Sequence, residues 1–237
     1  EIGVRLVGSE MCIRDSVNVV KSAIFERPDD ANKGTLGSLL CVCGSYGMAG
    51  AAVMSAKGAL RTGIGLAKCA LPRSIYPIVA QTILESVYYP LSENADGRIS
   101  KVNVPFLVSE SCKSSATLVG CGLGVCDDTL KIVFSLIENS TTPLVLDADA
   151  LNCVAKQPEI LLRKKVPIII TPHPGEMSRL TGLATPLVNA ERERVALDFA
   201  QKYGVVTVLK GAGTVIASPN GKVLVNPTGN SGMATGG

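Results

Sequence analysis

An α/β domain with a mainly parallel central sheet is the architecture these 237 residues lead one to expect. Three observations carry that expectation. Short runs such as "SLLCVCG", "PLVLDADAL" and "PIIITPHPGE" are apolar on consecutive residues, as strands buried on both faces are. They alternate with stretches whose apolar residues recur at helical spacing. The chain is 46% hydrophobic and only 18% charged, enough apolar mass at this length for one sizeable core.

The elements follow in order. "SLLCVCG" begins at Ser38 and reads as a buried strand; residues 47–60 then place Ala49, Ala52, Val53, Ala56 and Leu60 on one helix face. "GLAKCAL" and "ESVYYPL" read as further strands, and "ATLVGCGLG" as a strand running into a glycine loop. Residues 127–139 predict a helix with Asp127 or Asp128 as its cap. After the strands of "PLVLDADAL" and "PIIITPHPGE", residues 190–203 predict an amphipathic helix. Its buried face is Val195, Ala196, Phe199, Ala200 and Tyr203, and Gly204 stops it. "VVTVLKGAGT" is a strand entering a second glycine loop. "TVIASPNGKVLVN" predicts a hairpin with Asn220 and Gly221 as a positive-φ pair.

Composition removes several functions. A net charge of +3 without runs of like charge argues against a nucleic-acid groove, and the absence of Trp with 4% aromatics argues against base-stacking platforms. No apolar stretch reaches membrane-span length. The eight cysteines form no CxxC pair, and Cys41, Cys43, Cys69 and Cys121 lie in apolar surroundings, as core thiols of a reducing compartment do. With one histidine, a zinc site is not expected. A cytoplasmic protein is the expectation.

The ends are expected to be edges. "LVGSEMCIRD" matches one reading frame of a transposase sequencing adapter, so residues 1–16 read as a scar without fold information and residues 17–237 as a single domain. "NPTGNSGMATGG" closes the chain as a loop that would ordinarily introduce a helix N-terminus.

In open parallel sheets ligands bind beyond the carboxyl ends of the strands, and the chemistry-bearing residues fall there. Gly44, Gly47 and Gly50 in "CGSYGMAGAA", and the "GCGLG" loop, allow close backbone approach or merely tight turns. Asp147 and Asp149 end a strand, where they can hold Mg²⁺ through water or cap the next helix. His173, the single histidine, is bracketed by Pro172 and Pro174, with Glu176 close behind. Lys210, with the Gly211 and Gly213 amides, makes a cradle for phosphate or for a nucleotide's edge.

As an ordered set, "TPHPGE", "KGAGT" and "NPTGNSGMATGG" resemble the NAD(P)H-hydrate dehydratase family of the ribokinase-like superfamily, from about Lys33 to Gly237. The resemblance implies a three-layer α/β/α sandwich. It also implies a repair activity, in which the S epimer of NADH hydrate or NADPH hydrate is dehydrated with ADP or ATP as phosphoryl donor and Mg²⁺ on the phosphates. By position, Ala51, Gly122 and His173 match contacts to the hydrated cofactor, and Lys210, Gly211, Ala212, Gly213 and Thr214 match the adenine-nucleotide loop. Asp147, Asp149, Glu176, Asn226 and Gly236 read as contacts to phosphate or Mg²⁺-bound water, with no direct metal ligand among them. The family's catalytic Asp would lie beyond Gly237, so the chain as given is expected to have little activity. A homotetramer and pairing with an NAD(P)H-hydrate epimerase are implied as well.

The chain departs from the family pattern at Asn32, where His precedes Lys33-Gly34, and at Cys121, where the loop is Gly-Pro-Gly. A small-molecule kinase acting on a vitamin-precursor alcohol, or a silent nucleotide-binding module, stands as the alternative.

Overall fold

The structure, a computed structural model, describes residues 29–233. The predicted scar at residues 1–16 and the candidate Gly236 lie outside the described residues. Within them, nine strands form one sheet: β1 (Ser38–Val42), β2 (Leu66–Pro72), β3 (Val87–Leu91), β4 (Ala116–Val119), β5 (Leu144–Leu146), β6 (Ile168–Ile170), β7 (Val206–Leu209), β8 (Thr214–Ala217) and β9 (Val223–Asn226). Their spatial order is β3-β2-β1-β4-β5-β6-β7-β8-β9. The first seven run parallel; β8 pairs antiparallel with β7, and β9 antiparallel with β8.

The helices are α1 (Ala49–Thr62), α2 (Tyr76–Thr82), α3 (Val104–Cys112), α4 (Asp127–Asn139), α5 (Asp149–Val154), α6 (Pro174–Thr181), α7 (Thr185–Ala190) and α8 (Arg192–Tyr203). Strand alternation sends the side chains into two cores. Cys41, Cys43, Cys69 and Leu71 pack with Ala52 and Ala56 of α1 and Val79 of α2. Leu40, Val42, Leu144, Leu146, Ile168 and Ile170 pack with α3 to α8 on the other face. Helices on both faces of a mainly parallel sheet are what the apolar runs predict.

The α1/α2 face is less fully covered across the middle of the sheet. The register aligns Leu118, Val145, Ile169 and Val206 in one row over β4 to β7. All four are only partly covered, and Ile169 is 36% exposed.

Local details sharpen the sequence reading. Helix α4 spans the predicted residues, but its cap is Cys126, in extended conformation, whose N–H donates to Thr129 Oγ1 at 2.9 Å. Asp127 and Asp128 instead occupy the first turn, where carboxylates suit the helix dipole. The predicted helix over 190–203 is α8, which starts at Arg192; Glu191, outside helical geometry (φ −126°, ψ 42°), separates it from the short α7 before it. Its buried face and its Gly204 stop are as predicted, with Gly204 at φ 63°.

The β8–β9 hairpin forms, but only Gly221 has positive φ. Gly221 N–H donates to Ser218 O at 3.1 Å and Ser218 N–H to Lys222 O at 2.9 Å. This is a three-residue connection in which Pro219 presets the first turn position and Gly221 takes the left-handed one. The proline made the difference, since a tight two-residue turn would need positive φ at Asn220 as well.

Candidate functional site

The chain steps from β1 outward to β3 and then returns to place β4 on the other side of β1. Between β1 and β4 the connections therefore diverge, the switch point at which open α/β sheets bind ligands beyond the strands' carboxyl ends. The glycine loops after these strands meet there. Gly44 N–H donates to Cys121 O at 2.8 Å, and Ser45 Oγ–H to Gly122 O at 2.8 Å. Gly122 lies against the first turn of α1: a Cβ added to it would come within 2.7 Å of that of Ala51, and its φ of +65° independently favours glycine. Ala51 and Gly122 are thus brought together. Tyr46 and Met48, at 75% and 45% exposure, stand in the loop between Ser45 and α1.

The two strand-end aspartates separate. Asp149 does not cap α5; its Oδ2 accepts from Gly124 N–H at 2.8 Å and its Oδ1 from Asn152 Nδ2 at 3.2 Å, which fixes the "GCGLG" loop. Asp147 turns toward the neighbouring strand ends. Its Oδ1 accepts from Lys210 Nζ at 2.6 Å and Thr171 Oγ1 at 2.7 Å, while Cys121 Sγ lies 3.5 Å from Oδ2. Between them Ala148 holds φ 49°, ψ −115°, the one positive-φ residue other than glycine among those described. That conformation costs about 1–3 kcal/mol and persists where surroundings over-determine it. Here the surroundings are bonds from Asp149 N–H to Gly120 O and from Asp147 N–H to Val119 O.

Burial alone would raise the Asp147 carboxyl, but the hydrogen bonds from Lys210 and Thr171 and the lysine's charge outweigh it. The group is held below its ordinary value and is a carboxylate at neutral pH. Burial likewise pushes the Cys41 thiol up, and a hydrogen bond with the free Cys121 thiol, together with burial, pushes Cys43 up too. The Cys43 bond pulls the Cys121 thiol down. Cys121 is thus not the buried core thiol the apolar pattern suggests; it is partly covered and faces the carboxylate.

His173 caps α6. Its Nδ1 accepts from the amides of Gly175 and Glu176 at 3.0 and 3.4 Å, and His173 N–H donates to Glu176 Oε2 at 2.8 Å, a reciprocal capping box. Because Nδ1 is an acceptor, the ring's proton sits on Nε2, 3.5 Å from Glu176 Oε1. The ring is half exposed at 51%, whereas Glu176 is buried and its Oε2 lies 4.0 Å from Lys210 Nζ. His173, Glu176, Asp147 and Lys210 therefore form one connected group at the ends of β5, β6 and β7.

The loop after β7 is anchored at its start by Lys210 N–H, which donates to Pro172 O at 2.8 Å. At its end Thr214 Oγ1 bonds Gly211 O at 3.0 Å and accepts from Gly211 N–H at 3.3 Å. The amides of Ala212 and Gly213 have no protein partner among the described residues. Asn226 stands beside Thr214 across β8 and β9, but its Oδ1 accepts from Thr228 N–H and Oγ1. Beneath the loop lies a cavity of about 520 Å³ lined by Arg192, Ala212, Gly213, Val215 and Val225. Thr171 and Arg192 are contributors that the motif reading did not single out, and Cys121, noted there only as a core thiol and a departure in the glycine loop, faces Asp147. Thr171 sits inside "TPHPGE", and the strand-end position was its available signal; Arg192 had none, since its partners are 17 or more residues away.

The sheet order and strand-end loops define an α/β protein of ribokinase-like fold. A ribokinase-like superfamily protein from Enterococcus faecalis, 22% identical, shares it with a TM-score of 0.76 over 90% of this chain and 70% of that one. More specifically, the chain belongs to the NAD(P)H-hydrate dehydratase family, whose profile matches residues 39–237.

Among similar proteins is the bifunctional NAD(P)H-hydrate repair enzyme Nnr of Thermofilum pendens, 40% identical over 89% of this chain and 40% of that one. The chain thus spans about two fifths of the length of such bifunctional relatives. The ADP-dependent (S)-NAD(P)H-hydrate dehydratase of Bacillus subtilis is 32% identical over 92% of this chain and 74% of that one. The crystal structure of an ADP/ATP-dependent NAD(P)H-hydrate dehydratase from the same organism, co-crystallised with ATP and Mg²⁺, superposes with a TM-score of 0.74 and 31% identity, over 90% of this chain and 72% of that one. Among the described residues no helix is long and apolar enough to cross a membrane.

Proposed function

We propose that this chain carries the dehydratase function of its family: the S epimer of hydrated NADH or NADPH is returned to the reduced cofactor, with ADP or ATP supplying a phosphoryl group. The observation that supports it best is the group at the β5–β7 ends. An ammonium held on a carboxylate beside two unpartnered amides is a receptor for the phosphates of a nucleotide. Lys210 and the Ala212 and Gly213 amides take the phosphates, and Thr214 closes the loop around them. The Asp147 carboxylate keeps the lysine charged and aimed.

The hydrated cofactor occupies the neighbouring switch point. Gly122, packed on Ala51, brings the "GCGLG" loop onto the start of α1, where Tyr46 and Met48 offer apolar surface to the nicotinamide ring, and the Nε2–H of His173 donates to a polar group of the cofactor. Phosphorylation of the ring hydroxyl followed by elimination of phosphate converts a poor leaving group into a good one, so the chemistry needs the two ligands side by side. Asp147 and Asp149 are hard oxygen donors of the kind Mg²⁺ takes through water, with Glu176 and Asn226 at the rim. When bound, Mg²⁺ spreads the charge of the transferred phosphoryl group.

Homo-oligomerisation, a reducing cytoplasmic setting and pairing with an epimerase complete the reading. The last is motivated by the bifunctional relatives. The test is recovery of reduced-nicotinamide absorbance when the protein from its whole gene receives hydrated NADH, ADP and Mg²⁺. No recovery overturns the reading, and a phosphorylated product that accumulates without loss of phosphate points instead to a kinase.

A further inference from the structure

Arg192 opens α8 with its side chain turned inward, under the loop that follows β7. Its Nη2 donates to the carbonyls of Leu209 at 2.8 Å, Lys210 at 3.2 Å and Gly213 at 3.5 Å. The loop rests on the guanidinium: a Cβ added to Gly211, which sits at φ +147°, would lie 3.0 Å from both terminal nitrogens and 3.2 Å from Cζ. Nε is buried without a partner, and none of the ion pairs among the described residues includes Arg192. A partly buried guanidinium without a carboxylate pays some desolvation, which carbonyl dipoles offset here. Arg192 also lines the cavity of about 520 Å³ together with Ala212 and Gly213.

We propose that Arg192 is a positioning residue for the nucleotide loop: by holding the Leu209 and Lys210 carbonyls at its start and the Gly213 carbonyl at its end, it fixes the span in which the Ala212 and Gly213 amides are left for phosphate. Two successive free amides in one short loop, held at both ends, form the kind of concavity that binds anions. The positive charge of Arg192 beside the loop also favours an anion there. Lysine keeps a charged head with donors for these carbonyls but not the planar guanidinium on which Gly211 rests, so it substitutes only in part. The proposal rests on the nucleotide reading of this loop.

The test is calorimetric binding of ADP, and separately of hydrated NADH, to the chain and to Arg192→Met, Arg192→Lys and Arg192→Ala. Losing these charge-assisted bonds is expected to weaken ADP binding by roughly tenfold or more in Arg192→Met. Arg192→Lys should fall between Arg192→Met and the unaltered chain. Millimolar guanidinium should restore ADP binding to Arg192→Ala without changing the unaltered chain, and hydrated NADH should bind all four equally.

Failure of the unaltered chain to bind ADP overturns the nucleotide reading. Binding by the chain with equal affinity in Arg192→Met overturns only the role of Arg192. Equal losses for both ligands, with no guanidinium rescue, show a merely structural part and overturn it as well.

Discussion

Asp147 and Lys210 are the pair on which the site turns. The pair is partly solvated, with side-chain exposures of 23% and 41%, so screening limits its contribution to stability. Its value lies in aim: Lys210→Met is expected to weaken ADP binding by about tenfold or more, measured by calorimetry, while the melting temperature moves little. The carboxyl's folded pKa is depressed below the ordinary 3.8. Its stabilising contribution is therefore fully present above that value and is lost as pH falls through the lower folded value. Thermal unfolding of the chain and of Asp147→Asn should differ by a constant amount from neutrality to about pH 4 and converge below it. Divergence growing toward acid would contradict the pairing.

Strained backbone is also a residue-scale matter. Ala148→Gly should raise stability by about 1 kcal/mol, because glycine accepts φ 49° without the Cβ penalty. Denaturant unfolding measures it, and an unchanged midpoint would show that no strain is stored there.

Among the elements, the loops after β1, β4, β5, β6 and β7 carry the proposed binding, and their glycines answer to particular neighbours. Gly122→Ala forces a Cβ against that of Ala51 in a left-handed backbone, and should cost about 1–3 kcal/mol and disturb the proposed cofactor region. Hydrated-cofactor binding should fall while ADP binding holds, which titration of the two ligands separates.

Strands and amphipathic helices were legible because burial writes its period into sequence. The α8 face of Val195, Ala196, Phe199, Ala200 and Tyr203 is buried as read. Helices α2, α3, α6 and α7 were not legible by periodicity, being six to nine residues long. All four carry proline in their first two positions, a start signal that would have found them. The site was legible as a set of strand ends, since topology places those together whatever the side chains do. The partnerships were not: nothing local says that Asp147 meets Lys210 while Asp149, two residues on, meets Gly124.

At the scale of the molecule, the parallel sheet gathers the loops on one edge, and the step between β1 and β4 separates the proposed cofactor region from the proposed phosphate receptor at the β5–β7 ends. The packed face beneath holds it flat. Ile170→Ala, fully buried between β5 and β7, should cost about 2–5 kcal/mol in denaturant unfolding, and a cost under 1 kcal/mol would place the core elsewhere.

The central claim is that two ligands share this edge, a nucleotide on Lys210 to Thr214 and a hydrated nicotinamide cofactor over Gly122 and His173. The most direct measurement is calorimetric titration of ADP and hydrated NADH, singly and together, into the chain and into Lys210→Met. The account predicts simultaneous binding of both to the unaltered chain and loss of ADP alone in the variant. Mutual exclusion of the two ligands, or ADP binding indifferent to Lys210, would contradict it.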